Sequence, residues 1–343
     1  MAGALDHQLM LGDESTYGTA VTPTRGYEWD LDASNHEWDP KRVQGSGMQV
    51  GDGGMDRADR SVVIIGQGKG QIGLDVQTKG MGLLTDGPFN TGAGAVFLVS
   101  GTTYQHMFTT ALTVPVLDSR TIQYGIVRAD AAGTVEAYTY AGCTIHKCTL
   151  TQATGEVLKG VWDWDAKSQT KATGLATFAP PAGLLEPFHY GQVSEVTYGG
   201  AVTVPTTIAL KSGGTAVTNF KSMELTVDDQ PDLDRWVFTT RNQPRVSRRA
   251  ISLKCTAEYD AATYDDALVN HTTNAFTITW TSSQALSTGF ATLQLVCPAT
   301  KIVSTSRVNP GTGTPVMELE LAVLKPSAGQ ALYWVYRTAD AAL

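Results

Sequence analysis

The feature that most constrains this chain is two-residue alternation, repeated through segment after segment of its second half. Across residues 250–260, Ile251, Leu253, Cys255, Ala257 and Tyr259 alternate with Ser252, Lys254, Thr256, Glu258 and Asp260. Successive side chains of a strand point to opposite faces, so the pattern predicts a strand with one dry and one wet face. Residues 221–227 repeat it, with Met223, Leu225 and Val227 opposed to Ser222, Glu224 and Thr226. Phe276, Ile278 and Trp280 alternate with threonines, and Met317, Leu319, Leu321 and Val323 with Glu318 and Glu320. Leu332, Trp334 and Tyr336 predict a closing strand.

The first half is less regular. Strands are expected at 61–65, 95–100, 104–109, 122–128, 144–150 and 156–164, the last placing Leu158, Gly160, Trp162 and Trp164 on one face. Helices are expected to be few and short. Residues 261–270 can make two to three turns with Asp260 as N-cap, and 76–84 is a second candidate interrupted by Gly80 and Gly82. The fold class is therefore mostly β, a sandwich or barrel with one or two short helices and long loops.

Composition narrows the function. Charged residues make up 17% and hydrophobic residues 42%, with 35 glycines, which is globular and turn-rich rather than disordered or coiled-coil. A net charge of −8 argues against a protein that grips nucleic acid, though not against one that nucleic acid slides past. No apolar run reaches about 18 residues, so no membrane span is expected. The first dozen residues lack the basic flank and apolar core of an export signal, so assembly in a cytoplasm is expected. Cys143, Cys148, Cys255 and Cys297 each lie in a strand-like run, as buried thiols do.

Residues 167–192 carry Pro180, Pro181, Gly183 and Pro187 without periodicity, and are read as a linker. It would join halves at about 1–166 and 193–343, each with a polar-faced hairpin, as a weak internal duplication inside one domain spanning 1–343. Two long arms stand out. Residues 28–60 carry Trp29 and Trp38, and residues 228–249 carry Arg235, Trp236, Arg241 and Arg245. Aromatic and Arg residues in long arms are what a protein interface uses as anchors.

One motif is a decoy. Gly68-Lys69-Gly70-Gln71-Ile72-Gly73 has the GxGxxG spacing of dinucleotide sites, but no helix follows to present its amides to a pyrophosphate. A glycine-rich bend between strands is expected there. The chain lacks a Walker-type loop, a GxSxG elbow and an HExxH pair, and its six histidines are scattered singly. No catalytic, cofactor-binding or metal-binding set is expected.

The N-terminal run Gly12-Asp13-Glu14-Ser15-Thr16-Tyr17-Gly18-Thr19-Ala20-Val21-Thr22-Pro23-Thr24-Arg25 resembles the opening of tail tube proteins from long-tailed phages. The match lies in Glu14, Tyr17, Gly18, Thr19, Pro23 and Arg25. Downstream, residues 140–159 resemble that family's "GC…L…GE-[IV]-L" hairpin through Gly142, Cys143, Gly155, Glu156, Val157 and Leu158. The C-terminal order is similar too: an amphipathic strand, a long loop, a strand, a short helix and closing strands. Residues 28–60 depart from the family pattern.

The resemblance implies a non-enzymatic virion protein of the phage tail, forming hexameric rings stacked into a tube, of the non-contractile type. It implies a tape measure protein inside during assembly, tail terminator and distal tail proteins at the ends, and DNA passing without sequence-specific binding. The arm residues become contacts between subunits, and Glu224, Lys254, Glu258, Glu318 and Glu320 become candidates to face the lumen. Rival readings are a head decoration or distal tail protein, and a secreted β-sandwich adhesin or carbohydrate-binding module.

Overall fold

A computed structural model describes residues 7–45, 60–89, 95–110, 116–128, 134–171, 174–259, 263–308 and 314–343. The chain opens with β1 (Gln8–Asp13), β2 (Arg25–Tyr27), β3 (Asn35–Gln44), β4 (Ser61–Asp75) and α1 (Gly82–Phe89). There follow β5 (Val96–Ser100), β6 (Thr103–Thr109), β7 (Arg120–Val127), β8 (Val135–Gln152), β9 (Lys159–Ala166) and β10 (Ser168–Lys171). Next come β11 (Val193–Tyr198), β12 (Val202–Thr203), β13 (Ser212–Gly213) and β14 (Phe220–Asp228). The second arm holds the two-residue strands β15 (Pro231–Asp232), β16 (Trp236–Val237), β17 (Thr240–Arg241) and β18 (Arg245–Val246). The chain closes with β19 (Ala250–Glu258), α2 (Thr263–Val269), β20 (Asn274–Ala285), β21 (Phe290–Val308), β22 (Val316–Val323) and β23 (Tyr333–Thr338).

All the sheet pairings are antiparallel, and they build two layers. One layer is a continuous eight-stranded ladder in the order β3-β4-β9-β8-β14-β19-β22-β21. The other consists of two smaller ladders, β2-β1-β7-β8-β10 and β11-β20-β21-β23-β6-β5. The long strands β8 and β21 serve both layers. Each changes partners near a bulge, at Ile145/Lys147 in β8 and at Ile302/Ser304 in β21, where the added twist lets the strand turn from one layer to the other.

Between the layers lies the core. It holds Trp162, Trp164, Trp280 and Trp334, all essentially inaccessible to water, with Leu150, Leu225, Leu253 and Leu321 from the dry side of the large ladder. Burying an indole side chain removes 150–250 Å² or so from water, about 4 kcal/mol or more each, so these four anchor the sandwich. The helices fill the gaps: α1 packs on β8 and α2 on β21.

The strands expected from alternation form, with longer limits in β4 and β8, while the one expected at 156–164 forms as β9 at Lys159–Ala166 and leaves Leu158 before it. The helix expected at 76–84 forms instead at Gly82–Phe89. Gly80 has a φ of 80°, a turn conformation that holds 76–81 outside the helix, and every residue of α1 is buried, so no amphipathic period marks it. The expected N-cap Asp260 lies outside the described residues; α2 itself forms at 263–269.

The glycine-rich bend expected at 68–73 does not form. Those residues run straight through β4, flanked on both sides by β3 and β9. The glycines make room for aromatic rings laid across the strand. A Cβ on Gly66 would come within 2.4 Å of the Trp38 ring, and one on Gly70 within 2.4 Å of the Asn35 carbonyl and 2.6 Å of the Trp164 ring. Packing therefore explains the motif, as it does for glycines generally where another group must approach a strand closely.

The 167–192 segment is not a loose connection. β10 pairs with β8, and other described residues of the segment are held by backbone hydrogen bonds such as Gly26 N to Ala179 O (2.8 Å), Thr78 N to Glu186 O (2.9 Å) and Phe188 N to Val76 O (2.8 Å).

Candidate functional site

The eight-stranded ladder presents one dry face to the core and one face to water. The wet face carries polar side chains from edge to edge, with half-buried Val161 of β9 among them. A row crossing the first four strands reads Asn35, Gln71, Asp163 and Lys147, and a row crossing the last four reads Glu224, Lys254, Glu320 and Ser304. Thr149 and Thr226 meet at the centre, their hydroxyls 3.4 Å apart. The lumen candidates Glu224, Lys254, Glu258, Glu318 and Glu320 lie together on this face, on β14, β19 and β22.

The lysines here are matched by carboxylates. Lys254 Nζ lies 3.4 Å from Glu224, Lys147 Nζ 3.1 Å from Asp163, Lys69 Nζ 3.4 Å from Glu37 and Lys221 Nζ 2.9 Å from Glu258. Exposed pairs of this kind add at most about 1 kcal/mol each to stability. Their consequence is electrostatic: these four positive charges are answered locally, Lys159 alone of β9 makes no ion pair among the described residues, and Glu318 and Glu320 add negative charge. Such a face offers a polyanion no basic track along which phosphates could settle.

Glu37, Lys69, Gln71, Lys147 and Asp163 are the counterparts that sequence reasoning missed. The signal was present, since Glu37 and Asp39 alternate with His36 and Trp38, and Lys69 and Gln71 with glycines. The glycines hid it because they carry no hydrophobic mark on the dry side.

The arm residues fall into different environments. Trp29 packs against the core with its ring 5.2 Å from that of Tyr124, and Trp38 packs at the sheet edge over Gly66. Arg245 is exposed, and half-buried Arg235 donates to the Gln243 carbonyl. Half-buried Trp236 lies under the Arg241 guanidinium at 5.7 Å. Arg241 is buried within its own chain. It pairs with buried Asp165 of β9 and donates to the carbonyls of Ala166 (2.8 Å) and Leu233 (2.9 Å). Burial pushes the Asp165 carboxyl up, against the pull of Arg241. Arg249 does the same work at the arm's other end, pairing with buried Asp229 and donating to the Pro88 carbonyl. The second arm is thus clamped by its own arginines. What it shows to solvent is apolar: Val237 at 53% and Phe238 at 95% exposure. The first arm exposes Val43, and the start of β4 that follows it exposes Val62, Val63 and Ile64.

The N-terminal motif and the "GC" hairpin, distant in sequence, meet at one carboxylate. Buried Glu14 accepts hydrogen bonds from the Gly18 amide (2.9 Å), the Thr121 hydroxyl (2.8 Å) and the Gly142 amide (2.9 Å). Gly18 and Gly142 have φ values of 74° and 66°, so both turns favour glycine. Lys167 lies over the Tyr17 ring at 5.1 Å and closes the cluster. The residues that carry the resemblance are therefore those that lock the N-terminal segment onto β7 and β8.

A family model described as phage tail tube protein matches residues 4–323, nearly the whole chain. The chain belongs to the phage tail tube protein family. No curated protein matches it. This family is structural, and the tail tube protein is accordingly a component of the virion tail that assembles with itself into a tube. Among its described residues no group of three or more His, Cys, Asp or Glu is placed to hold a metal ion, and no helix is long and apolar enough to cross a membrane. The four cysteines are free and buried, and burial pushes the Cys297 thiol up to about 12, far from reactive thiolate chemistry.

Proposed function

We propose that this tail tube protein forms stacked rings with a six-fold arrangement of wall units in a non-contractile phage tail, with the polar face of the eight-stranded ladder lining the conduit for DNA ejection. The observation that carries this reading is the extent of that face. It runs unbroken across the whole chain, polar on every strand, and ends on two edge strands with no outer partner among the described residues. A wall made by joining such sheets edge to edge has no exposed ladder left, and four of its lysines are already paired with carboxylates. DNA and, during assembly, a tape measure protein pass along it without specific contacts. Terminator and distal tail proteins cap the ends. The protein does no catalysis, and its assembly takes place in the host cytoplasm.

Exposed apolar side chains on the two arms supply the contacts between rings, since a patch of Val237 and Phe238 left in water is an association site. The test is negative-stain electron microscopy of the purified protein, alone and seeded with tail tips. Hollow tubes of stacked rings are expected. Persistent monomers in the presence of seeds would overturn the reading.

A further inference from the structure

We propose that each chain supplies two quasi-equivalent wall units, and that a ring closes from three chains through a junction between the β21 edge of one copy and the β3 edge of the next. The inference rests on the tube reading above and adds the ring's subunit count and its interface.

The pairings of the first half recur in the second, in the same order. β1 with β7, β3 with β4, β4 with β9, β7 with β8, β8 with β9 and β8 with β10 match β11 with β20, β14 with β19, β19 with β22, β20 with β21, β21 with β22 and β21 with β23. Each half places its helix on its long strand, α1 on β8 and α2 on β21. Even the irregularities coincide. The β7–β8 ladder steps from Arg120↔Cys143 to Ile122↔Tyr140, and the β20–β21 ladder from Asn274↔Thr300 to Phe276↔Cys297. The bulge that follows Ile145 in β8 follows Ile302 in β21, and Thr300 and Ile302 both stand 157 positions after Cys143 and Ile145. The second arm connects β14 to β19, and the chain between β3 and β4 holds the corresponding place in the sequence order of the first unit.

The two units are already joined inside the chain. The β8 edge of the first pairs with the β14 edge of the second, for example Thr149↔Thr226 and Lys147↔Asp228. The counterpart of β8 is β21 and that of β14 is β3, and these are the two open edges. The core-facing positions tell the same story. At the internal junction Cys148, Leu150, Leu225 and Val227 are almost fully buried, whereas their counterparts Thr305, Arg307, His36 and Trp38 are half-buried or exposed. Transferring the internal register sets Ser306 of one copy opposite Glu37 of the next, and Ser304 opposite Asp39. A head-to-tail contact of this kind either closes into a ring or runs on as a filament.

Strand arithmetic selects the count. Eight wall strands per chain, spaced about 4.8 Å and tilted by about 40°, give a backbone diameter of roughly 32 Å for two chains and 48 Å for three. Inward side chains take about 5 Å from each wall, so two chains leave a bore barely wider than a duplex of about 20 Å, with no water layer. Three chains, with six units, are the smallest ring that admits hydrated DNA.

The test is a Glu37→Cys, Ser306→Cys double variant, assembled into tubes and oxidised, with a Thr149→Cys, Thr226→Cys variant reporting the internal junction. The four native thiols are buried and give little background. On a non-reducing gel the first variant is expected to yield dimers and trimers of the 36.5 kDa chain and nothing larger. The control is expected to cross-link within one chain. Native mass spectrometry of rings released from unmodified tubes reads the count independently, should the variant fail to assemble. Six chains per ring, or tubes in which positions 37 and 306 never cross-link, would overturn the junction while leaving the tube intact. Failure of the unmodified protein to form any tube would overturn the tube reading itself.

Discussion

Replacing Glu14 with Ala tests whether the N-terminal motif is a structural lock. The carboxylate serves three donors: the amides of Gly18 and Gly142 and the hydroxyl of Thr121. The Gly142 amide and the Thr121 hydroxyl are buried with it, and a buried donor deprived of its acceptor costs about 1–3 kcal/mol. Gly18 is only partly buried, and water can replace part of its bond. The sum is about 3–5 kcal/mol, a large share of the roughly 5–15 kcal/mol that separates folded from unfolded chains. Glu14→Gln keeps an acceptor oxygen and the shape, and loses about half as much. Urea unfolding of the isolated subunit is the assay. With a slope of about 3 kcal/mol per molar urea, the Ala variant's midpoint falls by about 1–1.7 M at unchanged slope. A shift worth under about 1 kcal/mol, or a Gln variant less stable than the Ala variant, would refute the reasoning.

Arg241→Ala strands buried Asp165 without its partner and is expected to cost the monomer about 3–5 kcal/mol, measured by denaturant unfolding. A variant that unfolds like the parent but fails to assemble would instead make Arg241 an interface residue. Gly70→Val drives a side chain into the Asn35 carbonyl and the Trp164 ring, and about 1–3 kcal/mol of stability is expected to go, with loss of β3 pairing visible in amide exchange. Burial holds the pKa of His106 below its ordinary value, with Nε2 donating to the Asp340 carbonyl at 2.9 Å. The unfolded chain then binds the proton more readily, so stability is full above about pH 6.5 and falls as pH drops from there towards the folded-state value. His106→Gln is expected to flatten that part of the pH–stability curve. Reversing exposed Glu318 and Glu320 and half-buried Glu224 to Lys leaves folding within about 0.5 kcal/mol at the first two, and costs about 1 kcal/mol at Glu224, which loses its pair with Lys254. It is expected to slow DNA release in a salt-dependent way, read by fluorescence of ejected DNA.

Alternation made β14, β19, β20 and β22 legible because each has one face in the core and one more polar face. It failed where that contrast vanishes. β21 is buried on both sides from Ala291 to Val296, β1 is buried along most of its length, and α1 is buried all round, so none shows a period. In β4 the glycines removed the apolar marks that alternation depends on. The polar wall was half legible for the same reason: Glu224, Lys254, Glu318 and Glu320 stood opposite large apolar residues, while Lys69 and Gln71 stood opposite glycines. Arg241 looked like an interface anchor because its partner Asp165 lies far back in the sequence, in β9. Nothing local announces an ion pair closed by the tertiary fold.

The most direct test of the account is a helical reconstruction of the assembled tube at side-chain resolution. The account expects Glu224, Lys254, Glu318 and Glu320 to face the bore, together with Glu37, Lys69 and Asp163, on a closed β wall with the arms reaching the neighbouring ring. A wall in which these residues face outward, or a bore lined by the loops instead of the eight-stranded ladder, would contradict it.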